Sequence, residues 1–145
     1  MATAYTLRPE VAGGFGPQSE LDTSKHPPVV NRLHYEFAGW LGDDIVATFP
    51  SSIVTEELAQ AIAKEGLTGV QFGDVVVTKD PQFERFFPDQ AAALPKWRWL
   101  RPVGKPHVSD FWQDEKGILY VSERALNLLR RFNLQHGRIG EVGSG

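Results

Sequence analysis

The sequence predicts an α+β fold in a single compact domain, residues 1–145, with a mixed or antiparallel sheet and two main helices. Three observations lead to this fold class. Short alternating or β-branched segments indicate strands, two segments begin with an N-cap residue and continue with helix-favouring residues, and these two segments match each other at a constant spacing. A chain of 145 residues can bury a core without disulfides or metal ions.

Composition narrows the classes of function. The chain has no cysteine, which excludes disulfides, thiolate nucleophiles and cysteine-bound zinc. Its formal charge of −3 predicts repulsion from phosphate backbones and anionic lipids. It has no apolar run long enough to span a bilayer, and residues 1–14 lack the pattern of a secretory signal. We therefore expect a cytoplasmic protein without nucleic-acid or membrane partners.

Strands and loops follow from local patterns. Proline and glycine crowd residues 9–31, which predicts a loop-rich lead after a short strand at 5–7. Residues 33–37 alternate between large apolar and polar side chains, which is typical of a half-buried strand. Short apolar segments predict further strands at 70–72, 75–77 and 118–121, and residues 45–47 form another short apolar segment. Residues 96–101 alternate between basic and aromatic side chains, which predicts a strand before Pro102. The Gly-Ser-Gly of 143–145 is expected to be a mobile tail.

Two helices are predicted from their capping residues. Thr55 is an N-cap residue followed by two acids, where the helix dipole favours negative charge, and the helix is expected to end at Gly66. Ser122 begins the second helix in the same way. A third, short helix is predicted after Asp80, with Pro81 at its first position.

The two capped helices belong to related strand-helix-strand units at 54–75 and 121–142, which align without a gap at an offset of 67 residues. Thr55 matches Ser122, and Gly66 matches Asn133. Glycine and asparagine are the residues that most readily adopt the left-handed conformation, so both helices are predicted to end in the same way. Two units are too few for a solenoid, and we expect them to pack together.

Two surface clusters are candidate partner-binding sites. Asp43 and Asp44 suit a cation or a basic partner, and equally a solvated turn with a capping role. The second cluster is Trp97, Arg98, Trp99 and Arg101. Strand alternation places the two indoles on one face and the basic groups largely on the other. Tryptophan and arginine dominate binding hot spots, although paired indoles on a strand are also typical of a core.

Catalytic and cofactor motifs are sparse. His107 and Asp110, close to Trp112, can be read as an acid–base site or as ordinary loop residues. The four histidines are scattered without a zinc-ligand spacing. The Gly-Gly-Phe-Gly segment at 13–16 precedes Pro17 and lacks the Gly-Lys-Ser/Thr of a P-loop. The sequence therefore predicts no metal site, no cofactor and no recognisable enzyme.

Several segments resemble a known family. They are Asp44-Ile45-Val46, Ile53-Val54-Thr55-Glu56, Gly66-Leu67-Thr68-Gly69-Val70 and Val121-Ser122-Glu123-Arg124-Ala125. Through them the chain, from about Leu33 to Val142, resembles the bacterial polymorphic-toxin immunity proteins of immunity-protein family eleven. The resemblance implies a cytosolic protein that binds and neutralises a cognate toxin by occlusion, without an active site.

Three functional hypotheses follow. The leading one is a non-enzymatic immunity protein whose acidic residues Asp43, Asp44, Glu56 and Glu57 face a basic toxin. The second is a small enzyme or ligand-binding protein that uses His107 and Asp110 near Trp112. The third is an accessory or structural domain of a larger assembly, which predicts exposed aromatic area around Trp97 and Trp99.

Overall fold

A computed structural model describes residues 3–142, so the prediction for 143–145 lies outside the described residues. Its strands are β1 (Ala4–Arg8), β2 (Gly13–Phe15), β3 (Glu20–Asp22), β4 (Val29–Arg32), β5 (His34–Phe37), β6 (Ile45–Thr48), β7 (Ser51–Thr55), β8 (Val70–Gly73), β9 (Val76–Lys79), β10 (Trp97–Pro102), β11 (Phe111–Gln113), β12 (Leu119–Ser122) and β13 (Arg138–Val142). The helices are α1 (Glu56–Glu65), α2 (Pro81–Phe86), α3 (Pro88–Ala92) and α4 (Glu123–Leu129). The predicted α+β class is confirmed. None of the helices in the described range is long and apolar enough to cross a membrane.

Two four-stranded sheets share one topology. The first has the order β6-β7-β10-β8 and the second the order β11-β12-β1-β13. In each, an antiparallel pair leads into a helix, and the strand after the helix returns to the same sheet. In each sheet, the strand before the helix and the strand after it are separated by one inserted strand from elsewhere in the chain. This is β10 in the first sheet and β1 in the second, and each is antiparallel to both neighbours. The two predicted units thus each fold as strand, helix, strand around an inserted strand. With the segments that precede them, residues 42–53 and 109–120, they form the first and the second unit of the fold.

The registers of the two sheets agree residue by residue. Trp99 of β10 lies opposite Gly73, and Thr6 of β1 lies opposite Gly140, which is 67 residues after Gly73. The inserted strands also share sequence, because Leu-Arg-Pro occurs at residues 7–9 and again at 100–102. The similarity therefore extends beyond the two helices to a strand that is distant in the chain.

The helix ends confirm one capping prediction and contradict another. Gly66 ends α1 with φ of 72°, the left-handed conformation that was predicted. Helix α4 ends at Leu129 in the right-handed conformation, and Asn133 is not among the described residues with positive φ. The prediction for Asn133 is wrong. Its side-chain amide instead donates to the Gly42 carbonyl oxygen at 3.1 Å, so the residue contacts the other unit.

Two cores lie on opposite faces of the first sheet. The first core joins both four-stranded sheets to α1 and α4 and includes Leu58, Leu100 and Leu126. The second core joins the first sheet to β5, α2 and α3 and includes Phe37 and Phe83. Burial on both faces explains why β6 and β7 are apolar or weakly polar throughout.

The lead at 9–31 contains short strands as well as loops. Strand β2 is an edge strand beside β5, and β5 pairs in parallel with β9. Strands β3 and β4 form a separate two-stranded pair. The many proline and glycine residues limit these strands to three or four residues each.

Candidate functional site

Asp44, which was predicted to contact a partner, forms hydrogen bonds within the protein with both of its carboxylate oxygens. One oxygen of its half-buried carboxylate accepts a hydrogen bond from the Thr55 hydroxyl at 3.0 Å. The other accepts from the backbone N–H of Asn133 at 2.8 Å. Asp44 therefore joins the start of α1 to the segment that follows α4.

Asp110, a predicted acid–base residue, occupies the corresponding place in the second unit. It is buried and accepts from the Ser122 hydroxyl at 2.6 Å and from the backbone N–H of Thr68 at 2.9 Å. It joins the start of α4 to the segment that follows α1, and we call Asp44 and Asp110 the aspartate struts. Burial raises the pKa of Asp110, but these hydrogen bonds and the nearby Arg124 outweigh it and leave that pKa lowered. A carboxylate held ionised in this way is a poor proton donor.

The three residues of the predicted acid–base site do lie together. His107, Asp110 and Trp112 line one cavity of about 230 Å³, and the rings of His107 and Trp112 are 5.2 Å apart. No hydrogen bond between His107 and Asp110 is present in residues 3–142. The arrangement can accommodate a small ligand, whereas an acid–base pair would need a direct contact. A ligand-binding role for this cavity stays a prediction.

The tryptophan–arginine cluster is divided between the core and the surface. Trp97 is buried and packs 5.3 Å from Phe37 and 6.0 Å from Trp40, measured between ring centroids. Trp99 is half-buried, and the guanidinium group of Arg101 lies 4.6 Å from the centre of its ring. Trp97 is thus a core residue and unavailable to a partner, whereas Trp99 and Arg101 reach the surface together on the same face of β10.

Arg98 lies on the opposite face of β10, as the alternation predicted. Leu100, two residues along on that same face, belongs to the first core, and Arg98 itself is half-buried. Its Nε atom is buried without a hydrogen-bond partner among the described residues. Arg98 is therefore largely enclosed beside the core, and it cannot act with Arg101 on one surface.

Two apolar grooves meet beside Trp99 and Arg101. The first, of about 260 Å³, runs between Val11 and Phe49, and the second, of about 300 Å³, runs along Trp99 and Arg101. Both are lined by Pro50 and Ser51, so they adjoin at these two residues, and we call the pair together the Pro50 groove. Four exposed apolar side chains border or line it: Val11, Val29, Phe49 and Val103.

The acidic residues at the start of α1 differ in exposure. Glu57 is exposed, whereas Glu56 is half-buried and accepts a 3.5 Å hydrogen bond from the Gln60 side chain. The predicted acidic surface is therefore smaller than the sequence suggested, because Asp43 is completely buried and Asp44 is a strut. Only the two glutamates remain available to a partner.

Asp43 belongs to a cluster that the sequence did not indicate. Its carboxylate accepts from the backbone N–H of His136 at 2.8 Å, and its other oxygen lies 2.8 Å from Nδ1 of the His136 ring. A carboxylate oxygen of Glu10 completes the group, with the three ligand atoms within 4.8 Å of one another. We call these residues the Glu-Asp-His cluster.

Glu10 is the unusual member of the cluster. It is 7% exposed, and one oxygen accepts from the backbone N–H of Leu41 at 2.9 Å. The other oxygen is buried and has no hydrogen-bond partner in the described part of the chain. Burial and the neighbouring charge of Asp43 raise the pKa of Glu10, although the Leu41 N–H and His136 act in the opposite direction.

Sequence reasoning missed Glu10 and His136 because they lie 33 and 93 residues from Asp43. The Asp-Asp pair was a visible signal, but nothing near it in the chain pointed to its partners. No known protein family matches this sequence, and no curated protein matches it significantly.

Proposed function

We propose that the protein is a non-enzymatic binding protein that neutralises a protein toxin by covering it, as the resemblance to immunity proteins implies. The observation that carries the proposal is the Pro50 groove, with Trp99 and Arg101 stacked at its side. A toxin segment seated there would be held by apolar contact and by the guanidinium group.

The exposed side chains around the groove support a macromolecular partner. Val11 is 73% exposed and Phe49 is 50% exposed, although both are large and apolar. Contiguous apolar surface of this kind typically marks an interaction site. Trp99 supplies a rigid aromatic anchor, and Arg101 supplies a charge that can pair with a carboxylate of the partner.

Charge supports a basic toxin. The chain carries a formal charge of −3, and Glu57 is exposed at the start of α1. Opposite net charges accelerate encounter, whereas close apolar contact slows dissociation. We assign the first role to the acidic surface, with Glu56 and Glu57, and the second to the Pro50 groove. Both steps occur in the cytoplasm, where the toxin must be stopped.

The test begins with sequencing of the genes beside this one in its source genome, and any toxin-domain protein encoded there is co-expressed with this protein. We expect a stable complex on size-exclusion chromatography and survival of cells that express the toxin. Phe49→Asp and Arg101→Glu should weaken the complex at least tenfold, a loss of about 1.4 kcal/mol. Arg130→Glu, which makes the same charge reversal at an exposed residue just after α4, away from both the groove and the acidic start of α1, is the matched control and should bind normally.

Two results would contradict the proposal. One is the absence of both binding and protection with a neighbouring toxin-domain protein. The other is a complex that forms with unchanged affinity in Phe49→Asp and Arg101→Glu, which would move the interface away from the Pro50 groove. Far-UV circular dichroism of each variant separates lost binding from lost folding.

A further inference from the structure

We propose that Glu10, Asp43 and His136 bind a divalent transition-metal ion, with Zn²⁺ as the best match. Two carboxylates and one imidazole form a ligand set that zinc accepts, and zinc commonly keeps a fourth position for water. The imidazole favours zinc over magnesium or calcium, which prefer oxygen ligands alone. This inference is independent of the proposed function.

The unpartnered oxygen of Glu10 is the observation that points to a ligand. Burying a carboxylate oxygen without a hydrogen bond is costly, because the group loses its water and gains nothing in return. Glu10 is more than nine-tenths buried, and one of its carboxylate oxygens lies within 4.8 Å of an oxygen of the fully buried Asp43 carboxylate. A divalent cation would balance the two negative charges and provide the missing partner.

The distances suit a metal ion. Zinc bonds of about 2.0–2.2 Å place neighbouring ligand atoms about 3.3–3.6 Å apart in a tetrahedron. The Asp43 oxygen and His136 Nδ1 are 2.8 Å apart, so they would move apart slightly as zinc replaces the hydrogen bond between them. The Glu10 oxygen lies within 4.8 Å of both atoms, so a small rotation of its side chain brings it to the ion.

An ion can reach the cluster from solvent. The side chain of His136 is 35% exposed. Glu10 also lines an open cavity of about 410 Å³ bordered by Gly39 and Trp40. Water that enters along this cavity can complete the coordination. The cluster therefore combines buried anionic ligands with an accessible edge, as an exchangeable metal site requires.

The corresponding place in the fold, where the two units exchange roles, provides an internal comparison. Val103 follows the second Leu-Arg-Pro tripeptide as Glu10 follows the first. Ser109 directly precedes Asp110 as Asp43 directly precedes Asp44, and Gly69 lies 67 residues before His136. These three residues also lie together. Val103 donates its backbone N–H to the Gly69 carbonyl at 2.8 Å, and a Cβ built on Gly69 would lie 2.7 Å from the Ser109 Cβ. The same place in the fold thus packs without any ionisable side chain, so the fold does not require the cluster.

The test is zinc titration of the full chain, purified without a polyhistidine tag and stripped with a chelator, by isothermal titration calorimetry. We expect one Zn²⁺ per chain and no competition from excess Mg²⁺. Glu10→Gln and His136→Ala should each weaken binding by at least about tenfold. Glu115→Gln and His26→Ala, which change exposed residues of the same types, are the matched controls and should bind like the unaltered protein.

A second measurement guards against a folding defect. Zinc should raise the Tm of the unaltered protein and of both controls, and at the same zinc concentration it should raise that of Glu10→Gln distinctly less. Glu10→Gln is close to isosteric and keeps an acceptor for Leu41, so it decides the matter if His136→Ala does not fold. The absence of saturable zinc uptake would overturn the proposal, as would uptake of equal affinity in Glu10→Gln.

Discussion

Replacing Asp110 by asparagine should lower the free energy of unfolding by about 2–4 kcal/mol. The carboxylate accepts from the Ser122 hydroxyl at 2.6 Å and from Thr68 through its N–H at 2.9 Å and its hydroxyl at 3.2 Å. Asparagine keeps one acceptor oxygen, so its amide group must face one of these donors. The variant loses a charge-assisted hydrogen bond and leaves one donor without an acceptor. The resulting loss is a large part of the roughly 5–15 kcal/mol by which a typical domain is stable.

Urea denaturation followed by tryptophan fluorescence measures the effect. The m-value should stay constant while the midpoint falls, because the variant exposes the same surface on unfolding. Asp44→Asn should cost about 1–3 kcal/mol, since this strut accepts fewer bonds and is only half-buried. Asp74→Asn, at an exposed turn residue, is the control and should change stability by less than about 0.5 kcal/mol.

The difference in stability between the unaltered protein and Asp110→Asn should depend on pH in a defined direction. The pKa of Asp110 is lowered in the folded protein, so its stabilisation is fully present above the ordinary value of 3.8 and is lost as pH falls through the lowered pKa. The gap between the unaltered protein and Asp110→Asn should therefore be constant near neutrality and close in strong acid. The reasoning is refuted if Asp110→Asn unfolds at the same urea concentration as Asp74→Asn at pH 7.

Three further outcomes follow from burial and backbone geometry. Glu10→Gln should stabilise the metal-free protein at neutral pH. Because the pKa of Glu10 is raised in the folded protein, the unaltered protein loses stability as pH rises through that pKa. In urea titrations at acid pH, the variant and the unaltered protein should therefore be equally stable. Phe83→Ala removes a fully buried ring from the second core and should cost about 3–5 kcal/mol in the same assay, and a loss below 1 kcal/mol would contradict that packing. Gly69→Ala should prevent folding, because Gly69 has φ of 80° and an added Cβ would lie 2.3 Å from the Phe111 carbonyl oxygen. Circular dichroism measures this loss, and Gly14→Ala, at a position with open space around it, is the control.

Local chemistry made part of this fold predictable. The Thr55 and Ser122 caps were visible because N-capping depends on a few neighbouring residues, and so was the left-handed Gly66. Asn133 failed as a left-handed cap because its amide found a partner in the other unit, a tertiary contact that no local pattern contains. The position of β1 between β12 and β13 was equally hidden, although the repeated Leu-Arg-Pro was a signal in the sequence.

The candidate sites show the same limit. The sequence left open whether Trp97 and Trp99 are core or interface residues. Alternation could not tell that Trp97 is enclosed by Phe37 and Trp40, whereas Trp99, on the same face, is only half-buried. Asp43 was singled out for its charge, yet the fold buries it beside His136. Burial and pairing between distant residues are set by tertiary packing, which a single sequence does not display.

The inserted strands give the two sheets different histories during protein synthesis. All strands of the first sheet lie between residues 45 and 102, so that sheet can close while the rest of the chain is still being made. Strand β1 is synthesised before the first sheet, but its partners β12 and β13 are synthesised after it. Until then both edges of β1 lack their partners, and unpaired edges favour association between chains. The stage after β10 and before β12 and β13 are made should therefore be the most aggregation-prone in the synthesis of this protein, above all when translation is slow or interrupted there.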